Sequence, residues 1–228
     1  MQRFWDARAR EDALYFIDTR QTYGAPDLER FWASGEEDLD LLLARLGAAL
    51  APTDVVVDIG CGAGRLTRAL AARTAEVVAI DVSAEMLERA RALNPQAANI
   101  TWLHGDGTSL APIADASADA CVSHVVFQHI PDPEITLGYV REIGRVLRPG
   151  GWAAFQVSND PAIHVRSRGQ GLRRLLGRAP RGQSDARWLG SAVSLEDLRA
   201  AARDGGLVLE RVEGEGTQYC LVLARRAR

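Results

Sequence analysis

The chain contains no lysine: all 27 of its basic residues are arginine. With alanine so abundant, this reads as the codon bias of a GC-rich, bacterial genome and not as a functional choice. Cysteine is scarce as well. Cys61, Cys121 and Cys220 are odd in number and lack metal-ligand spacing, so free thiols in a reducing compartment are expected, and no metal site. Also missing is any apolar run near the ~18 residues that a membrane span needs. The N-terminus, with its charged and aromatic residues, has no signal-peptide pattern, so a cytoplasmic location and no membrane partner are expected by default. A net charge of -3 gives no reason to expect a nucleic-acid partner. What remains is an ordinary globular composition, 47% hydrophobic and 25% charged, over 228 residues: one domain with an elaboration.

The stretch from Val55 to Thr67 organises the rest. Val55-Val56-Val57-Asp58-Ile59 is an apolar, β-branched run with an acid near its end, and Gly60, Gly62 and Gly64 follow at alternate positions before a helical pattern. This is a buried parallel strand, a tight loop without Cβ atoms in the way, and a helix start. The dinucleotide-binding fingerprint needs a small residue where this chain has Arg65. A carboxylate at position 58 suits a ligand with an ammonium group better than a pyrophosphate, which it would repel.

Further runs repeat the strand–helix alternation. Val77 to Asp81 reads as a second buried strand ending in an acid, roughly 20 residues past the loop, where an acid accepts hydrogen bonds from ribose hydroxyls. Ser83 is the better cap for the helix that follows, in which Met86 packs on an adenine face or in the core. Ile100 to His104 is a third strand, followed by Gly105-Asp106-Gly107. There Asp106 either receives an adenine amine or closes the strand in an Asx-turn. Ala118 to Val125 is a fourth strand, and Trp152 to Val157 a fifth, entered through Arg148-Pro149-Gly150-Gly151. Ser194 with Asp197 caps a last helix, and the runs Leu207–Val212 and Thr217–Ala224 form a hairpin. Upstream, Ser34 with Glu37 reads as a capping box before the leucine stripe Leu39, Leu42, Leu43, Leu46.

The spacing Asp58-x-Gly60-x-Gly62-x-Gly64 resembles motif I of the class I S-adenosylmethionine-dependent methyltransferases, and Arg145 to Gly151 before a strand resembles a second motif of the same family, especially its small-molecule branch. The resemblance implies an α/β fold: a Rossmann-like, seven-stranded, mostly parallel sheet with a C-terminal antiparallel hairpin and helices on both faces. It implies S-adenosylmethionine as cofactor and S-adenosylhomocysteine as product. The implied cofactor residues are Asp58, Gly60, Cys61, Gly62, Gly64, Asp81, Val82, Met86, Gly105, Asp106, Gly107 and Ser123. Residues 1–50, rich in aromatics up to Tyr23, are expected as a helical lid or an edge helix on a domain spanning 51–228. The basic stretch 158–193 is expected as a substrate cap or a surface excursion. If it is a cap, its arginines (Arg166, Arg168, Arg173, Arg174, Arg178, Arg181, Arg187) favour an anionic acceptor.

Ligands of such sheets sit beyond the strand ends, so His124 and His129 are the candidate general bases, with His164 a third. Each is equally readable as structural, and an already nucleophilic acceptor needs no base. The fourth strand ends Ser123-His124-Val125-Val126, without the N/D-P-P-Y signature of nucleic-acid and amide methylation, which points to a small-molecule acceptor with oxygen as nucleophile. A non-catalytic cofactor-binding protein stays open; Arg65 and Asp58 disfavour a nucleotide-linked oxidoreductase.

Overall fold

A computed structural model describes residues 1–164 and 185–228. Seven strands form one sheet in the order β3-β2-β1-β4-β5-β7-β6, with β1 Val55–Ile59, β2 Glu76–Asp81, β3 Ile100–His104, β4 Ala118–Ser123, β5 Leu147–Val157, β6 Leu207–Glu213 and β7 Cys220–Arg226. The first five are parallel; β7 runs antiparallel to both β5 and β6. The chain lays down β1, β2 and β3 in one direction, then returns to place β4 on the other side of β1. That reversal opens a crevice at the carboxyl ends of β1 and β4.

Because side chains alternate across a strand, adjacent valines of β1 serve different layers: Val56 joins the core on one face and Val57 the core on the other. The first face is covered by α2 (Leu28–Leu46) and α3 (Arg65–Ala71), the second by α5 (Pro133–Val146) and a C-terminal helix, Leu195–Asp204. The leucines at 39, 42, 43 and 46 are buried in the first of these cores, so α2 is built into the sheet's own packing. Ser83 caps α4 (Ala84–Leu93) and Ser194 caps the last helix, both as the sequence predicts.

Several boundaries differ from the sequence reading: the fourth strand, expected to reach Val125, ends at Ser123. The helix expected to start at Ser34 starts at Leu28, capped by the Asp27 carboxylate on Arg30 N. Ser34 and Gly35 lie inside it because α2 crosses α3 there: a Cβ on Gly35 would stand 2.3 Å from the Arg65 carbonyl oxygen. The fifth strand begins at Leu147, whose pairing with Ala118 carries the Arg-Pro-Gly-Gly stretch into the sheet through a bulge. At the hairpin, Thr217 belongs to the turn, its hydroxyl donating to Gly214 O at 2.7 Å, and β7 starts at Cys220.

The N-terminal helix α1 (Gln2–Ile17) is kinked at Asp12, whose carboxylate accepts from Tyr15 N and Gly24 N. It packs Ala9, Ala13 and Ile17 on Met86 of α4. No helix among the described residues is long and apolar enough to cross a membrane.

Candidate active site

The loop after β1 turns because three alternate positions take positive φ: Gly60 +76, Gly62 +55 and Gly64 +90. Gly60 N and Cys61 N both donate to Ile80 O, which ties the loop to β2. The missing side chains leave room where it is needed. A Cβ on Gly60 would sit 2.4 Å from Val126 Cγ1, and one on Gly62 2.9 Å from Ile17 Cδ1. Gly64 does something else. It faces Trp102 and Asn94, outside the cavity lining, so its role is to seat α3 against β3.

A cavity opens over these strand ends. Asp58, the loop from Gly60 to Gly62, Asp81, Val82, Met86, Gly105 and Gly107 form its floor, and Met1, Trp5, Phe16 and Ile17 of α1 roof it. Asp58 is buried, with one oxygen accepting from Thr67 Oγ1 at 2.6 Å. Burial pushes its carboxyl up to about 6, with the Thr67 bond opposing and the charge of Asp81 adding. Asp81 accepts from Gly62 N and Ser83 N, each at 2.8 Å, and burial raises it too. A buried carboxylate with one partner is a seat for a cation, and an acid at the end of β2 is a seat for a diol. The glycine loop supplies backbone close enough for a ligand to lie upon. These residues therefore fit a ligand with an ammonium group and a ribose.

Besides Gly64, two residues expected at the cofactor lie outside this lining. Asp106 spends its carboxylate on Thr108 N, Ser109 N and Ser109 Oγ, closing its own loop as an Asx-turn, and it does not line the cavity although Gly105 and Gly107 do. Ser123 is fully buried and donates to Ile59 O at 3.0 Å, joining the ends of β4 and β1. Met86 is 2% exposed, packed against α1, and lines the cavity.

The histidines separate by their partners. His129 Nδ1 donates to Trp188 O at 2.7 Å, its Nε2 accepts from Gln128 at 3.2 Å, and its ring packs between Trp5 and Trp188. His164 is tied to Leu189 O and, at 2.7 Å, to Ser158 Oγ, joining the two described ends of the 158–193 stretch. His124 Nδ1, by contrast, is buried without a partner among the described residues. Burial holds both His124 and His129 down to about 4, so each ring is neutral at neutral pH.

A second cavity adjoins the first, lined by Asp18, Arg20, Asp38, Leu41, Trp188 and Tyr219 among others. Six residues line both cavities: Phe16, Ile17, Arg65, His124, Val125 and His129. Val125 holds a φ of +59, a costly conformation for a β-branched residue, fixed by Val125 N donating to Gln156 Oε1 at 2.9 Å. Gln156 also donates to Gln128 Oε1, which completes a buried chain of amides to His129. Sequence reasoning missed Arg65, Val125, Gln128, Gln156 and Trp188 as site residues. Only Gln156 carried a signal, as an amide in the otherwise apolar run Trp152 to Val157. Among the described residues no group of three or more His, Cys, Asp or Glu is placed to hold a metal ion.

A family model described as a methyltransferase domain matches residues 57–155, from within β1 to within β5. The ubiquinone biosynthesis O-methyltransferase of Chromobacterium violaceum is 31% identical over 163 residues, which are 71% of this chain and 67% of that protein. The trans-aconitate 2-methyltransferase of an Azoarcus species is 40% identical over 121 residues, 52% of this chain and 44% of that protein. The chain thus spans about two thirds or less of the length of these curated relatives. Among solved structures, an S-adenosylmethionine-dependent methyltransferase from Mesorhizobium loti superposes with a TM-score of 0.64 at 23% identity, covering 83% of this chain and 97% of that one. That likeness is one of fold.

Proposed function

We propose, on the premise that the chain belongs to the class I S-adenosylmethionine-dependent methyltransferases, that it methylates a small-molecule acceptor at oxygen. The observation that carries this reading is the wall shared by the two cavities. One side holds the residues suited to the cofactor, the other leads to an acceptor-sized space, and His124 lines both with a ring nitrogen that has no partner among the described residues.

When bound, S-adenosylmethionine supplies an electrophilic methyl group on a sulfonium. The chain's own part is to bind, orient and exclude water. Asp58 would take the ammonium of the methionine moiety, Asp81 the ribose hydroxyls, and the amides from Gly60 to Gly62 the remaining polar edge. Trp5, Phe16 and Ile17 shield the reacting centre as the lid expected of the N-terminal helix. His124 would take the acceptor's proton, whereas both nitrogens of His129 are committed to the framework. An anionic acceptor was expected from arginines of which Arg166, Arg168, Arg173, Arg174, Arg178 and Arg181 lie outside the described residues; Arg187 pairs with Asp185 at 2.6 Å.

The reading is tested by incubating the protein with methyl-labelled S-adenosylmethionine and a panel of hydroxylated, carboxylated and amino compounds. Label recovered as an ether or ester supports it; label recovered only on nitrogen, or in no product, contradicts it.

A further inference from the structure

Two polar atoms in the wall between the cavities are buried and unpartnered among the described residues: Arg65 Nε and His124 Nδ1. Arg65 is 4% exposed and cannot swing away, because Nη1 is held by Asp38 Oδ2 at 2.5 Å and by Ser34 O at 3.0 Å. Its Nε–H is a donor left over, and a buried donor without a partner favours any ligand atom that can accept from it. The His124 ring is neutral, held so by burial with the charge of Arg65 acting in the same direction and that of Asp38 opposing. A neutral ring has one lone pair, and in the tautomer protonated at Nε2 that lone pair is on Nδ1.

One atom that both accepts and donates satisfies the two together. A hydroxyl does this. A carboxylate has no proton for His124, and an attacking amine would have to give Arg65 the lone pair that the methyl group needs. The rest of the second cavity narrows the choice further. Arg20 is bonded to Asp18 and Asp38, Arg45 to Glu213, and Arg65 to Asp38, so every cationic side chain lining this cavity among the described residues already has its carboxylate. Flat rings, Phe16, Trp188 and Tyr219, also line this cavity.

We infer that the second cavity takes a neutral, hydroxylated acceptor with a flat apolar body, its hydroxyl seated between Arg65 Nε and His124 Nδ1. This rests on the methyl-transfer reading above. The hydroxyl's O–H bond breaks toward His124 as its oxygen forms the bond to carbon, and the carbon–sulfur pair remains on sulfur. The positive charge of the sulfonium thereby reappears on the imidazole, which releases the proton to water.

The test uses the full chain saturated with S-adenosylhomocysteine and three matched probes: para-ethylphenol, para-ethylbenzoate and para-ethylbenzylamine. Binding is read by titration, and the His124 ring nitrogens are followed by NMR on isotope-labelled protein. The expected result is that the phenol alone binds, that the His124 Nδ1 resonance moves to a hydrogen-bonded position, and that Arg65→Gln weakens the phenol about tenfold, as loss of a charged donor should. Should Arg65→Gln fail to fold, the wild-type Nδ1 resonance and a His124→Phe variant decide. Preferential binding of the benzoate or the amine, no binding by any probe, or phenol binding that leaves Nδ1 unmoved would overturn the inference. If S-adenosylhomocysteine itself does not bind, it is the cofactor reading that fails, before any probe is added.

Discussion

Asp58 holds a carboxyl that burial keeps partly protonated near neutrality, and the sign of its effect on cofactor binding follows directly. Without ligand it titrates at about 6. An ammonium beside it favours the charged form, so below that pH binding must expel a proton. Affinity for S-adenosylhomocysteine is then predicted to be flat from neutrality down to about pH 6 and to weaken by about tenfold per unit below it. Asp81, also raised, steepens the fall. Calorimetry in buffers of different ionisation enthalpy reads the released proton; an affinity independent of pH from neutrality to pH 5 would contradict the placement of the ammonium. Both acids were legible in the sequence because each ends a run of β-branched residues. Arg65 was legible only as an obstacle to dinucleotide binding. Its partner, Asp38, lies on a helix that the sequence does not show crossing α3. Asp106, an acid between two glycines, was readable as a ligand contact or as an Asx-turn, and its carboxylate accepts from the amides of its own turn.

Among the elements, α1 and α2 depart furthest from their sequence reading. In α2, Ser34 with Glu37 has the signature of a helix start, but Gly35 between them lets two helices touch. Gly35→Ala gains about 1 kcal/mol of helix propensity. It also drives a methyl into the Arg65 carbonyl, an overlap costing about 1–3 kcal/mol. The prediction is a net loss of stability in urea denaturation; a stabilised variant would refute the close crossing. The proposed lid, α1, is fastened to α4 by the exposed Arg10–Glu85 pair at 2.7 Å and, in a part-buried position, by Asp6. Ser83 Oγ donates to Asp6 Oδ1 at 2.7 Å while also capping α4 through Met86 N. Asp6→Ala is expected to speed release of S-adenosylhomocysteine about tenfold, the worth of one charged hydrogen bond, and to raise amide exchange in α1 alone. Unchanged release would show that α1 packs on the domain without gating it. The aromatics of residues 1–26 were readable as a lid or an edge helix; the Asp6–Ser83 contact was not legible, since the two are 77 positions apart.

For the whole molecule, the succession of strands was readable from the apolar runs, because interior parallel strands have no polar face to blur them; the seven-stranded sheet was implied by the family resemblance, and the strand order is seen only in the structure. Strand ends were less legible, since a bulge or a turn residue keeps the composition of the strand it interrupts. The cysteines offer a global check. All three are free and buried, and burial raises each thiol. Native protein should therefore leave a thiol reagent unreacted on the time scale in which denatured protein titrates three equivalents, and its melting temperature should not respond to reductant. Rapid labelling of the native fold would mean that the core around β1, β4 and β7 opens readily.

The sheet, the crevice and the two acids converge on one ligand, so the decisive measurement is calorimetric titration with S-adenosylmethionine, S-adenosylhomocysteine and NADH, on the wild type and on Asp81→Ala. The predicted result is saturable binding of the first two, weakened about a hundredfold in the variant by loss of two hydrogen bonds to a charged acceptor, and no binding of NADH. Binding of NADH alone, or S-adenosylhomocysteine binding indifferent to Asp81→Ala, would contradict the placement of the cofactor over β1 and β2.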